Sequence, residues 1–299
     1  MLLLTGATGL VGSTLLRRLL AERTQVRCLV RDPRRLGPQR VRVQIALGDL
    51  TDPPSFRNAL RGVQTVVHLA ASIRDQPHGS IEELNGIATW RMVEAAERQG
   101  VERFVFFSAL GASSHHRARL LRAKALAEQA VSESGLRSIV FAPSIVYAPG
   151  DPWLTLLERM TLLPVMPVSG RGRATFQPIW AEDVAGCVIA ALREEGSPPR
   201  ARYELAGPET LSHEEMIRTL LRSLGRKRPL VHVPTPVVSR ALRALEALAG
   251  ANALATWDEA ELMETSMTSA RGAADAQALG VTPQRMAAVL PTAEPPRAG

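Results

Sequence analysis

The stretch that decides the fold is Met1-Leu2-Leu3-Leu4-Thr5-Gly6-Ala7-Thr8-Gly9-Leu10-Val11-Gly12. An apolar run short enough for one buried parallel strand leads directly into three glycines spaced three apart. A helix-period segment follows, with Leu15, Leu16, Leu19 and Leu20 interrupted by Arg17 and Arg18. Strand, glycine-rich turn and helix in that order are the parts of a dinucleotide-binding unit. Thr5, Gly6, Thr8, Gly9, Leu10 and Gly12 are therefore candidate cofactor-binding residues. The glycines let the backbone turn sharply and approach a pyrophosphate, and the helix N-terminus offers free N–H groups to its charge.

Working outward, the rhythm continues. Strands are expected at Gln25–Val30, Val41–Leu47, Thr65–Leu69, Arg103–Phe107 and Ser138–Phe141. Between them helices are expected over Ser55–Leu60, Ile81–Arg98 and Arg117–Glu133. Strands alternating with helices at this spacing imply an α/β fold, a Rossmann-type doubly wound parallel sheet. Beyond Pro143 the cadence changes. Thr175–Trp180 and Arg202–Leu205 read as strands, and Glu182–Arg193 as a helix that packs back on the first domain. Ser212-His213-Glu214-Glu215 is a capping box opening a helix to Leu224, and helices follow over Val237–Leu248, Asp258–Glu264 and Pro283–Val289. The tail from Pro291 to Gly299 is expected to fray. The expected division is a nucleotide domain, 1–152 with 176–194 packed on it, and a smaller, mostly helical unit from 153–175 and 195–299. That unit should sit over the C-terminal strand ends, where open α/β sheets bind ligands.

Composition narrows the classes. With 45% hydrophobic and 22% charged residues the chain has the balance of a folded globular protein. No run of about eighteen apolar residues exists, so no spanning helix is expected. A strand starting at Met1 leaves no room for a leader, and Cys28 and Cys187 both sit in apolar segments, so a cytoplasmic protein with reduced core thiols is expected. The net charge is +7, but the arginines are dispersed and aromatics are only 4%. Nucleic acid is not the expected partner.

Arg31 closes the second strand. A 2′-phosphate requires a cation where a free ribose hydroxyl takes an acidic residue, so Arg31 favours NADP(H) over NAD(H). Strand alternation sends Asp32 to the other side. The bland alternative is a solvated loop arginine. Asp49-Leu50 suits the adenine edge, and Ala70-Ala71 supplies small residues beside a ribose and phosphate. Each alone is equally a strand exit; spaced behind a glycine-rich turn, they support one another. His68 lies in a buried strand and is expected to be packed.

Ser108 at a strand end and Lys124 on the next helix are the candidates for chemistry. Together with Thr5-Gly6-x-x-Gly9-x-x-Gly12, Val67-His68-Leu69-Ala70-Ala71 and Pro143-Ser144-Ile145-Val146-Tyr147-x-Pro149-Gly150, they resemble the extended and atypical short-chain dehydrogenase/reductases (SDRs). Phe176-Gln177-Pro178-Ile179-Trp180-Ala181-Glu182-Asp183-Val184-Ala185 and Tyr203-Glu204-Leu205-Ala206-Gly207-Pro208-Glu209 extend the resemblance into the second half. It is strongest to the atypical members related to the nucleotide-binding accessory subunit of respiratory complex I. The resemblance implies a nicotinamide dinucleotide, with Pro143 among its contacts, and a Tyr-x-x-x-Lys pair for proton transfer. Lys124 matches the lysine, but Leu120 stands where the tyrosine belongs. Leucine can neither donate nor accept a proton.

Two expectations follow. One is an NADP(H)-binding protein whose nucleotide serves structure, sensing or assembly, with a protein partner. The other is an active oxidoreductase or epimerase-like enzyme on a small molecule held in the interdomain cleft. Its proton donor would be Tyr147, facing the cleft at the exit of the sixth strand, His115 or His116 in the loop before the Lys124 helix, water, or the substrate itself. Against these stand a Tyr147 that merely lines the domain junction, an exposed histidine pair, and a Ser108 that only caps a strand end. No matching ligand set accompanies the histidines, so no metal is expected. The basic amphipathic segment Val237–Leu248 also suits a membrane surface.

Overall fold

The computed structural model describes residues 1–194, 200–249 and 256–290. The expected tail at 291–299 lies outside them.

The chain runs β1 (Leu2–Thr5), α1 (Leu10–Ala21), β2 (Val26–Val30), β3 (Gln44–Leu47), α2 (Pro53–Phe56), β4 (Thr65–His68), α3 (Ala88–Arg98), β5 (Arg103–Phe107), α4 (Arg119–Glu133) and β6 (Arg137–Pro143). Then come β7 (Val146–Tyr147), α5 (Pro152–Met160), β8 (Met166–Ser169), β9 (Thr175–Phe176), β10 (Ile179–Trp180), α6 (Ala181–Arg193) and β11 (Arg200–Leu205). The last part holds β12 (Leu211–Ser212), α7 (His213–Ser223), β13 (Leu230–Val233), α8 (Thr235–Ala249), α9 (Trp257–Leu262), α10 (Ala274–Ala278) and α11 (Met286–Val289).

Seven strands form one parallel sheet in the order β11-β6-β5-β4-β1-β2-β3. Both faces are covered, and alternate residues feed opposite cores, as a two-residue side-chain period requires. Leu2 and Leu4 pack with α1 and α6 residues such as Leu15, Leu16, Val184 and Val188, while Leu3 packs with Phe56, Met92 and Val131 on the other face. A third core joins Leu154, Met166, Phe176, Met216, Leu220 and Met286 of the second unit to Leu110, Leu121 and Ala142 of the nucleotide domain.

Several expectations need correction. Strand β3 begins at Gln44, because Pro33–Arg42 coils into 3-10 turns broken at Gly37. The segment read as a strand over Thr175–Trp180 splits into β9 and β10 at Gln177-Pro178, which pair with different partners. Pro178 has no N–H to offer a ladder, and Gly207 packs against it so closely that a Cβ there would lie 1.8 Å from the Pro178 carbonyl oxygen. The strand placed in the smaller unit, now β11, instead pairs in parallel with β6 and extends the nucleotide sheet. The parallel pair β8–β13 and the short α10 had no counterpart in the sequence reading. No described helix is long and apolar enough to cross a membrane.

Candidate dinucleotide site

A groove of about 980 Å³ opens at the C-terminal ends of β1 to β4. Its floor is the β1–α1 turn. Gly6 adopts φ +68°, and a Cβ there would lie 2.6 Å from the Ala70 nitrogen. A Cβ on Gly12 would lie 2.0 Å from the Gly6 carbonyl oxygen, so side chains at either position would break the turn. Gly9 is the N-cap of α1, and its N–H donates to the Gly6 oxygen at 3.0 Å. No acidic residue stands in the first turn of α1, which leaves its positive end open to an anion.

The walls gather most of the sequence candidates. Gly6, Thr8, Gly9, Arg31, Asp49, Leu50, Ala70 and Ala71 all line this groove. Thr5 and Gly12 are buried behind it, and Leu10 starts α1. Arg31 is half exposed, its Nη1 3.9 Å from an Asp49 carboxylate oxygen. Asp49 Oδ1 accepts from the Thr51 N–H and hydroxyl, both at 2.9 Å. Burial pushes the Asp49 carboxyl upward, but those two bonds and the charges of Arg31 and His78 outweigh it, so the group stays below its usual range. Asp32 also lines the groove rather than turning away; its Oδ1 accepts the Arg34 N–H at 2.9 Å and caps the 3-10 turn.

The lining residues that escaped the sequence reading include Arg35, Gln76 and His78. Arg35 reaches the groove beside Arg31, because the unforeseen 3-10 turn brings a second cation back to the same wall. Two arginines four apart after a strand were the available signal. Gln76 and His78 line it from the loop after β4, where no motif marked them.

The candidates for chemistry do not line this groove. The Ser108 N–H donates to the Phe141 oxygen at 2.8 Å, while its buried Oγ has no partner among the described residues. Pro143 ends β6, and its oxygen accepts from the Leu110 N–H at 2.9 Å. Lys124 is 5% exposed; its Nζ donates to the Phe107 oxygen at 2.6 Å and lies 5.0 Å from the Phe106 ring centre. Burial, only partly offset by Glu128, lowers its pKa to about 8. Leu120 sits one turn earlier on α4, half-buried, so the i, i+4 spacing on one helix face is kept without the phenol.

Tyr147 departs from its expected orientation toward the cleft. Strand β7 pairs with β10, and the ring is fully buried in the core shared by the two units, with Leu110 and Leu121 from one and Leu154 and Phe176 from the other, so Tyr147 lines the domain junction. Its hydroxyl has no hydrogen-bond partner among the described residues, and burial, with the charges of Asp183 and Glu209, raises its pKa further above the ordinary phenol value. His116 accepts the Ala118 N–H at 2.9 Å just before α4, and His115 contacts Ser114. Among the described residues, no three His, Cys, Asp or Glu side chains gather as a metal site.

The two units are joined by an ionic clasp. Arg119, at the start of α4, binds Asp75 at 3.0 Å, Glu82 at 2.7 Å and Asp258 at 3.4 Å. Arg74 binds Glu259 of α9, with Nε 2.9 Å from its carboxylate.

Comparison with known proteins agrees with this geometry. A family model described as NAD(P)H-binding matches residues 6–195. The chain is 29% identical to the mitochondrial NADH dehydrogenase [ubiquinone] 1 alpha subcomplex subunit 9 of Arabidopsis thaliana, over 78% of this chain and 60% of that protein. It is 29% identical to an NAD(P)H azoreductase of Xenophilus azovorans, over 76% of this chain and 74% of that one. In fold it resembles the Escherichia coli NADPH-dependent quinone oxidoreductase QOR2 complexed with NADPH, with a TM-score of 0.75 at 17% identity over 97% and 98% of the two chains. With a glycine cradle that excludes side chains, an open helix N-terminus and a matching family model, the chain belongs to the NAD(P)H-binding family of SDR fold.

Proposed function

We propose that this protein binds NADP(H) and uses it as a structural, sensing or assembly ligand rather than as a redox reagent. The observation that carries this reading is Leu120, standing one helical turn before Lys124 where the proton-transferring phenol belongs. Tyr147 offers no substitute, because its ring is fully buried and does not line the groove. The preference for the 2′-phosphate form rests on Arg31 and Arg35, two guanidinium groups on one wall of the groove. A nicotinamide dinucleotide, when bound, would supply hydride chemistry. The residues present supply a cradle for its pyrophosphate and cations for its phosphate. The two unpaired, buried cysteines fit a reducing, cytoplasmic setting. Subunit 9 of the plant NADH dehydrogenase supports an assembly role with a protein partner.

The second reading, an oxidoreductase acting on a small molecule in the interdomain cleft, is favoured by one observation. Among the described residues Ser108 keeps a buried, unpartnered hydroxyl directly after Phe107, whose carbonyl holds Lys124, and one similar protein is an NAD(P)H azoreductase. Incubation with NADPH and a panel of carbonyls, imines and enones, followed by absorbance of the reduced nicotinamide, separates the two. The expected result is micromolar binding without turnover in the wild type, and turnover appearing in Leu120→Tyr. Wild-type turnover would overturn the first reading.

A further inference from the structure

His68 ends β4 behind the groove, fully buried between the Phe104 and Phe106 rings, whose centres lie 5.9 and 6.2 Å from its own. Both ring nitrogens are partnered. Nδ1 lies 2.9 Å from Thr5 Oγ1, and Nε2 lies 3.1 Å from Thr89 Oγ1. The neighbours decide which nitrogen holds the proton. Thr89 spends its single hydroxyl proton on the Asn85 carbonyl oxygen, at 2.6 Å. Toward the ring it can therefore only accept, which puts the proton on Nε2. Nδ1 is then bare and accepts the Thr5 hydroxyl proton. Thr5 Oγ1 in turn accepts the Ala70 N–H at 3.3 Å. Burial and the nearby Lys124 charge lower the ring's pKa to about 3, consistent with a neutral imidazole.

The chain of bonds continues beyond Thr89. Asn85 lies in the π-helical turn Glu83–Ile87 that precedes α3, a form of turn that recurs at functional sites. Its Nδ2 donates to the Ser72 oxygen and the Ile81 oxygen, both at 2.8 Å, and its Oδ1 accepts the Ser72 N–H at 3.3 Å. The relay thus leaves the groove wall at Ala70, passes through Thr5, His68, Thr89 and Asn85, and returns to the wall at Ser72. Both end residues line the groove. Thr5 is also the residue before Gly6, which packs against Ala70 with no room for a Cβ.

We propose that His68, held as the neutral Nε2–H tautomer, is a positioning residue for the dinucleotide. It sets the separation between the glycine turn and the wall at residues 70–72. An imidazolium would present a second donor to Thr5 Oγ1 and leave that hydroxyl's own proton without its acceptor, so the arrangement holds only for the neutral ring. The proposal rests on the reading that this groove takes NADPH.

The test pairs substitutions with the tautomer itself. His68→Asn keeps an acceptor toward Thr5, whereas His68→Phe keeps the ring's bulk and neither bond. Isothermal titration with NADPH is expected to show about a tenfold or greater weakening in His68→Phe, most of it recovered in His68→Asn. Thr5→Val should weaken binding similarly, and Thr5→Ser should restore it. In wild-type protein labelled with ¹⁵N-histidine, the His68 ring should show a protonated Nε2 and a bare Nδ1 down to about pH 4. This last measurement does not depend on any variant folding. A protonated Nδ1 at pH 6 would overturn the proposal, as would NADPH affinity unchanged in both His68→Phe and Thr5→Val. A wild type that binds no NADPH would overturn the groove reading together with this proposal.

Discussion

The groove beside the glycine turn and the region around Lys124 are built differently. On one side, the glycine turn, Arg31, Arg35, Asp49 and the Ala70–Ser72 wall converge on one open groove. Around Lys124, Leu120 is the residue one helical turn earlier, the lysine bonds a backbone oxygen, Ser108 has a hydroxyl unpartnered among the described residues, and Tyr147 is buried at the junction of the two units. Binding and proton transfer make separate demands: binding needs shape and fixed charge, whereas proton transfer needs a titratable group in reach. One can be kept while the other is lost, and the cradle by itself is evidence for a ligand only.

The most severe way to break the contrast is Gly12→Ala. A Cβ 2.0 Å from the Gly6 oxygen must push the turn apart, and overpacking of this kind costs about 3 kcal/mol, or roughly a hundredfold in NADPH affinity by titration. Gly9→Ala, whose Cβ would lie 3.3 Å from the same oxygen, should bind far better than Gly12→Ala. Equal losses would show that the turn is not the anion cradle.

Next in size is the pH response of Lys124. Its folded pKa, about 8, lies below the ordinary 10.5, so the unfolded chain binds the proton more strongly. The associated stability is fully present above pH 10.5 and is lost as pH falls through 8. Chemical denaturation should therefore show wild-type stability rising with pH across that window relative to Lys124→Met, by about 3 kcal/mol in all. A flat difference would mean that the ammonium is solvated, and the lysine free to serve chemistry.

Arg31→Ala should cost about tenfold in NADPH affinity and little in NADH affinity, the loss of one charge-assisted phosphate contact. Parallel titrations check this, and an unchanged ratio would reduce Arg31 to a solvated loop residue. The smallest effect is expected from Asp258→Asn. Arg119 retains Asp75 and Glu82, so denaturation should show a loss under about 1 kcal/mol, with NADPH binding unchanged.

How much of this was legible follows from the range of each signal. The glycine turn, Arg31, Asp49 and Ala70 were readable because each adjoins a strand whose apolar run announces it. Leu120 was readable because its place is fixed by helix spacing from Lys124. Arg35 was hidden by a 3-10 turn that apolar pattern does not mark. Val41 and Val43 imitated strand residues, although Val41 is 81% exposed. The alternation in Arg200–Leu205 shows a strand but not which sheet receives it. The relay through His68 joins positions up to 65 residues apart, and no local pattern encodes such a meeting.

The outer position of β11 also governs how the molecule is made. Synthesis delivers β1 through β6 first, then β7 to α6, and only afterwards the strand that covers β6. Until residues 200–205 leave the ribosome, the seven-residue β6 presents a bare backbone edge to any neighbouring chain. A fragment cut near residue 152, where the sequence reading ends the nucleotide domain, would keep that edge permanently exposed and invite aggregation. The nucleotide domain is completed late in translation, by residues that the second unit separates from it.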